Sequence, residues 1–181
     1  MKNILLIGGS TGIGYELSQK LKENNNLFIA TRDKEKFNDT NIKTNDLNLN
    51  NEFETDWLPD HIDGFVYLPG TINLRPFKGL KSSVFLEDFK INVMGCVEIL
   101  QKVLPKIQAA KNPSIVMFST VAVKLGMPFH SSVSSSKGAI EGLTRSLAAE
   151  FAPKIRVNSI APSILETPLS EKFLNSETKL D

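Results

Sequence analysis

The stretch IGGSTGIGYELS (residues 7–18) sets Gly8, Gly12 and Gly14 in the spacing G-x-x-x-G-x-G. It closes a short apolar run, NILLIGG (3–9), and opens GIGYELSQKLKENN (12–25), where Ile13, Leu17 and Leu21 fall four apart. A buried strand, a glycine turn and a helix are therefore expected in that order. Gly8 permits the tight turn, Gly12 lets backbone approach a pyrophosphate, and Gly14 lets the helix pack closely on the strand. The helix start adds free N–H groups for an anion. A glycine-rich turn that binds nothing is the plainer alternative, but the spacing and the strand–helix context favour a dinucleotide site. No Gly-Lys-Ser/Thr follows, which excludes a P-loop.

Outward from this loop, strand-like and helical runs alternate. Strands are expected at 27–32, 62–70, 114–120 and 155–162, with a weaker one at 41–48. A long helix over 86–109 carries Phe89, Val93, Val97, Leu100, Leu104 and Ile107 at three- or four-residue spacing, with Pro105 marking a kink or an early end. A second, over 134–151, uses Ile140, Leu143, Leu147 and Phe151, with Ser134 or Ser135 as its cap. The final SEKFLNSETKLD is polar with weak helical patterning. Strands separated by helices imply right-handed crossovers and a Rossmann-type α/β fold: a doubly wound, mostly parallel sheet with helices on both faces, in one domain over 1–181.

Composition narrows the function. With 181 residues, 41% of them hydrophobic, the chain suffices for one substantial core. The 21 basic and 20 acidic side chains nearly balance, and no basic block points to nucleic acid. A single cysteine, Cys96, excludes an internal disulfide, and two histidines, His61 and His130, argue against a metal cage. No apolar run approaches the ~20 residues of a membrane span, so a soluble cytoplasmic protein is expected.

The second strand ends Ala30-Thr31-Arg32-Asp33. A carboxylate at its tip would bind the ribose 2′-hydroxyl of NAD, and Asp33 comes slightly late for that. The planar fork of Arg32, assisted by Ser10, suits the 2′-phosphate of NADP instead. NADP is the expected cofactor, with NAD the alternative and a solvated Arg32 the plainer reading.

From these motifs the chain resembles the short-chain dehydrogenase/reductase family over nearly all its length. The resemblance implies cofactor contacts from the glycine loop, including Ile13, and from Asp46 and Leu47 near the adenine. FVYLPGTIN replaces the family's Asn-Asn-Ala-Gly and keeps only Gly70. Asn92 in KINVMG matches the asparagine that supports a water in the proton relay. The catalytic serine column falls on Thr120, beside Ser119. SSSKGAIEGLTRSLAAEFAPKIRVNSIAPSILETPL carries the active-site lysine, Lys137, and the segment that touches nicotinamide, with Pro162, Leu165 and Thr167 in place and Ser163 for glycine.

In that family a tyrosine hydroxyl donates a proton to a carbonyl oxygen as hydride arrives, and a lysine one helical turn later lowers its pKa and grips the ribose. Four before Lys137 stands Val133, which has no proton to give. Tyr15 reads as helix packing; Tyr67, at the carboxyl end of a central strand, could approach the site, though a strand aromatic in the core is the plainer reading. His130, seven before Lys137, is the other candidate acid; an exposed loop histidine is the plainer reading. Family members also extend beyond Thr167 to a seventh strand, so a shortened form with an uncovered sixth strand is expected. The resemblance further implies a homo-oligomer, paired through the helices at 86–109 and 134–151, and a small-molecule carbonyl or alcohol substrate. The alternative is a dinucleotide-binding sensor, scaffold or subunit without turnover.

Overall fold

In the computed structural model, residues 1–171 are described. Six strands, β1 (Lys2–Ile7), β2 (Asn25–Thr31), β3 (Ile42–Asp46), β4 (Gly64–Tyr67), β5 (Ser114–Phe118) and β6 (Arg156–Ile160), form one sheet. Their order is β3-β2-β1-β4-β5-β6, and every pairing is parallel. The order reverses between β1 and β4, so a crevice forms there outside the carboxyl ends of the strands, where ligands bind in open sheets.

Alternation along the strands divides the core in two. Leu5, Ile7, Phe65, Tyr67, Ile115 and Met117 point to one face, where they meet Cys96, Leu100, Val103 and Ile107 of α3 (Gly95–Gln108) and Ile140 of α5 (Ser131–Phe151). Leu6, Ile29 and Val66 point to the other, against Tyr15, Leu17 and Leu21 of α1 (Gly12–Leu21). Helices therefore lie on both faces, as a doubly wound sheet requires.

Several boundaries differ from the sequence expectation, each for a local reason. The first helix stops at Leu21 because Asn25 already pairs with Lys2 in the sheet. The expected helix at 86–109 begins earlier, as α2 (Ser82–Phe89), passes through a π-type turn at Lys90–Met94, and resumes as α3. Pro105 neither ends nor interrupts α3, which continues to Gln108. The widened turn shifts the helix face: Phe89 stays 41% exposed, while Asp88 is fully buried. After β5, Thr120 opens a short helix, α4 (Val121–Leu125), that sequence periodicity did not indicate.

The largest correction concerns the serines before Lys137. They belong to α5, which starts at Ser131 rather than 134, with His130 and not Ser134 or Ser135 at its N-cap. The Ser134 N–H donates to His130 O, and Ser135 Oγ donates to Ser131 O, one turn back. Lys137 consequently stands in the second turn of the helix. The polar segment expected to be weakly helical lies outside the described residues from 172 onward, and no helix among those described is long and apolar enough to cross a membrane.

Candidate active site

Backbone of the glycine loop adopts conformations that side chains resist: Gly8 and Gly12 have φ of +77° and +52°. At Gly14 the reason for glycine is proximity, since a β-carbon there would stand 2.5 Å from Gly8 O. One added at Gly12 would lie 3.2 Å from Thr167 Cγ2, and one at Gly8 would lie 3.3 Å from Pro69. The loop thus abuts both the end of β4 and the segment after β6, although the sequence separates them widely. Thr167 is held in place by Ser170, whose hydroxyl also donates to Leu165 O. Pro162 O accepts the Val121 N–H, which fastens that segment to α4. Ile13 is half-buried at the start of α1, and Leu165 is exposed.

At the tip of β2, Arg32 is exposed and carries no ion pair among the described residues. Asp33 is 3.5 Å from Lys36 Nζ, and that ammonium also donates to Ser10 O at 3.1 Å. Lys36 is a cation at the loop that the motif reading missed; only its four-residue distance from Arg32 could have suggested it. Asp46, at the end of β3, pairs with Lys34 at 2.8 Å, and the Leu47 N–H donates to Thr31 O.

The second half of the site is built where β4, β5 and α5 meet. Lys137 is 8% exposed, and no hydrogen bond or ion pair holds its ammonium among the described residues. Burial pulls its pKa down to about 8, partly opposed by Cys96, whose own thiol burial pushes up to about 12. A β-carbon on Gly70 would lie 3.4 Å from Lys137 Nζ and 3.3 Å from Asn92 Oδ1. Asn92 is fully buried, its Nδ2 donates to Thr71 Oγ1 and Asp88 O, and its Oδ1 has no partner. A free ammonium and a free carbonyl oxygen therefore converge on one glycine.

The hydroxyls divide their work. Ser119 Oγ donates to Glu141 Oε1 at 2.6 Å, so its proton is committed. Thr120 Oγ1 accepts from Ala122 N as the cap of α4, which leaves its own proton free to donate outward. His130 Nδ1 donates to Pro128 O at 2.7 Å, which fixes the ring and leaves Nε2 open. Val133 is 6% exposed and packs in the helix. Tyr67 is 2% exposed; its hydroxyl donates to Ile91 O at 2.6 Å, and burial pushes its pKa above the usual range, so it is a core residue. Tyr15 packs against Phe37 at 6.1 Å between ring centroids.

Comparison with known proteins bears on the family and the fold. The family model for short chain dehydrogenases matches residues 2–178. The chain is 38% identical over 122 residues to the oxidoreductase UcpA of Escherichia coli, covering 66% of this chain and 46% of that protein. It is 29% identical over 118 residues to a cyclopentanol dehydrogenase of Comamonas, covering 65% and 47%. The chain spans about half the length of these curated relatives. Among solved structures, ElxO with NADP bound superposes with a TM-score of 0.82 at 27% identity, covering 96% of this chain and 78% of the other. A tyrosine-to-phenylalanine variant of ElxO, solved with NADPH bound, gives 0.83 at 26% over the same shares.

Proposed function

The chain belongs to the short chain dehydrogenase family. We propose that it is an NADP(H)-dependent oxidoreductase that interconverts a small-molecule carbonyl and alcohol with a proton donor other than tyrosine. The observation that carries this reading is the unpartnered, buried Lys137 ammonium converging with Asn92 Oδ1 on Gly70. A buried cation without a counter-charge costs free energy, and a polar ligand in that crevice would offset the cost.

The residues present fit the dinucleotide. Gly8, Gly12 and Gly14 leave the loop bare enough for a pyrophosphate to approach its backbone, and Gly14 admits no side chain at all. Arg32, with Ser10 and the Lys36 ammonium that donates to the Ser10 carbonyl, would hold the 2′-phosphate. Asp46 and Leu47 would flank the adenine, and Gly70, Lys137, Pro162, Leu165 and Thr167 the nicotinamide riboside. When bound, the cofactor supplies or accepts the hydride. Thr120 donates its free hydroxyl proton to the substrate oxygen, holding it in place. His130, the N-cap of α5 seven residues before Lys137, would deliver the proton through Nε2 from its doubly protonated ring and be left neutral with Nδ1–H on Pro128 O. Lys137 contributes positive charge and holds ribose hydroxyls. Self-association belongs to the same reading, since Leu86 and Met94 expose apolar surface, 71% and 39%, along α2 and the turn after it.

The test is titration of the purified chain with NADPH and NADH, followed by NADPH oxidation against a carbonyl panel. Preference for NADPH that Arg32→Ala removes, together with turnover of one panel member, is the expected result. A preference for NADH would refute the cofactor assignment. Val133 favours one other reading, a dinucleotide-binding protein without turnover. ElxO holds NADPH in a form with a tyrosine replaced, and NADPH binding here without oxidation by any carbonyl would select that alternative.

A further inference from the structure

Asp88 is fully buried, and no cation pairs with it among the described residues. Instead three donors surround its carboxylate. Thr71 Oγ1 donates to Oδ1 at 2.6 Å, Asn73 Nδ2 donates to Oδ1 at 2.7 Å, and Ser132 Oγ donates to Oδ2 at 2.5 Å. These partners come from the loop after β4 and from the first turn of α5, while Asp88 itself lies on α2. The mechanism above uses none of the four, and Asp88 neighbours no cofactor-binding residue in sequence.

The direction of each bond matters more than their number. Because the Thr71 proton goes to Asp88, the Thr71 oxygen is left as an acceptor, and Asn92 Nδ2 donates to it at 2.8 Å. The second Asn92 amide hydrogen goes to the Asp88 backbone carbonyl at 2.8 Å. With both hydrogens used, the amide has one orientation, and its oxygen turns to the Gly70 face that it shares with Lys137 Nζ. The Ser132 contact simultaneously fixes the first turn of α5, one residue before Val133 and five before Lys137.

We propose that Asp88 is a positioning residue for the Lys137 site, orienting Asn92 through Thr71 and setting α5 through Ser132. An alanine at 88 removes the acceptor these three donors share, so the Thr71 hydroxyl loses the partner that sets its direction. A valine at 71 removes the link to Asn92 outright, whereas a serine preserves it. This inference rests on the dinucleotide reading for its consequence, but its structural half can be tested without any cofactor.

In the unliganded protein, the Asn92 side-chain amide gives paired ¹H–¹⁵N signals whose exchange with solvent is slow. Asp88→Ala and Thr71→Val should each speed that exchange about tenfold, the equivalent of one lost hydrogen bond, while Thr71→Ser leaves it unchanged. The same two variants should weaken NADPH binding about tenfold. Binding of 2′,5′-ADP, which lacks the nicotinamide riboside, should match the parent chain and show that the variants are folded. Unchanged Asn92 exchange in both variants, or equal loss of NADPH and 2′,5′-ADP, would overturn the proposal. A parent chain that binds neither nucleotide would instead remove the dinucleotide reading, and the exchange measurement would still decide the role of Asp88.

Discussion

Lys137 Nζ stands 3.4 Å from the position a Gly70 β-carbon would occupy. The amine of a core helix thus lies against the bare backbone that follows a central strand, at the point where the strand order reverses. Neither residue has a polar partner in common with the other, and the ammonium has none at all among the described residues. The site keeps a charge in a place where solvent is largely excluded, and that arrangement has measurable consequences.

The first is a pH dependence of stability. Lys137 titrates at about 8 in the folded chain against 10.5 ordinarily, because burial disfavours its charge. Between those values the unfolded chain binds more protons, so stability rises with pH through the window, and the full penalty applies below about 8. Lys137→Met removes the penalty. The variant should be more stable than the parent at neutral pH by up to about 3 kcal/mol, with the gap closing toward pH 10.5. Urea unfolding at a series of pH values measures this, and a gap that does not vary with pH would refute it.

Tyr67 offers a control inside the core. Tyr67→Phe leaves Ile91 O without its donor and should cost about 1–2 kcal/mol of stability. Nucleotide binding and turnover should stay as in the parent. A selective collapse of turnover with normal binding would mean that Tyr67 is the missing acid after all.

For the proton donor, His130→Ala should lower kcat about 100-fold with NADPH affinity unchanged, the scale of a lost general acid. Retention of full activity would dismiss His130. Val133→Tyr tests the other side: it inserts a ring at a buried position, at a packing cost of about 1–3 kcal/mol. Little change in turnover is expected if His130 serves, whereas a large gain would show that only the tyrosine was lacking.

At the loop, Gly14→Ala would bring a methyl to 2.5 Å from Gly8 O and 2.9 Å from Gly9 Cα, both backbone atoms with nowhere to move. A loss of about 1–3 kcal/mol in thermal unfolding is expected, with nucleotide affinity falling in parallel. Gly138→Ala is the matched comparison, since the nearest atom to its β-carbon is Val123 Cγ1 at 3.7 Å, and it should cost little.

Much of this was legible in the sequence because it follows from short-range pattern. The strands from NILLI to IRVNSI announce themselves as apolar runs, and the glycine spacing announces the loop. The convergence of Lys137, Asn92 and Gly70 was legible only through family resemblance, since 67 residues separate Gly70 from Lys137. What escaped was whatever depended on tertiary partners. A run of serines reads as loop by propensity, yet Ser132 and Ser136 are buried within α5, bonded to Asp88 and to Val133 O. Lys36 reached Ser10 through a turn whose path no periodicity encodes. Phe89 was counted on the inner face of a regular helix and proved to be 41% exposed.

That last misplacement follows from the turn at Lys90–Met94, where the Gly95 N–H donates to Lys90 O, five residues back. Such a turn holds one residue more than an α-helical one, so the upstream helix is rotated by about 100° relative to an unbroken path. The extra residue acts as a phase adjuster. With it, Asp88 faces inward with Val93 and its carboxylate meets Thr71, Asn73 and Ser132. Deleting one residue from this turn would relax it to regular α-helix and leave Asp88 facing inward, whereas α-helical pairing with that residue retained would turn Phe89 inward in its place. A polar hub and an oily plug are thus alternative fillings of one inner helix face, and the widened turn selects the hub.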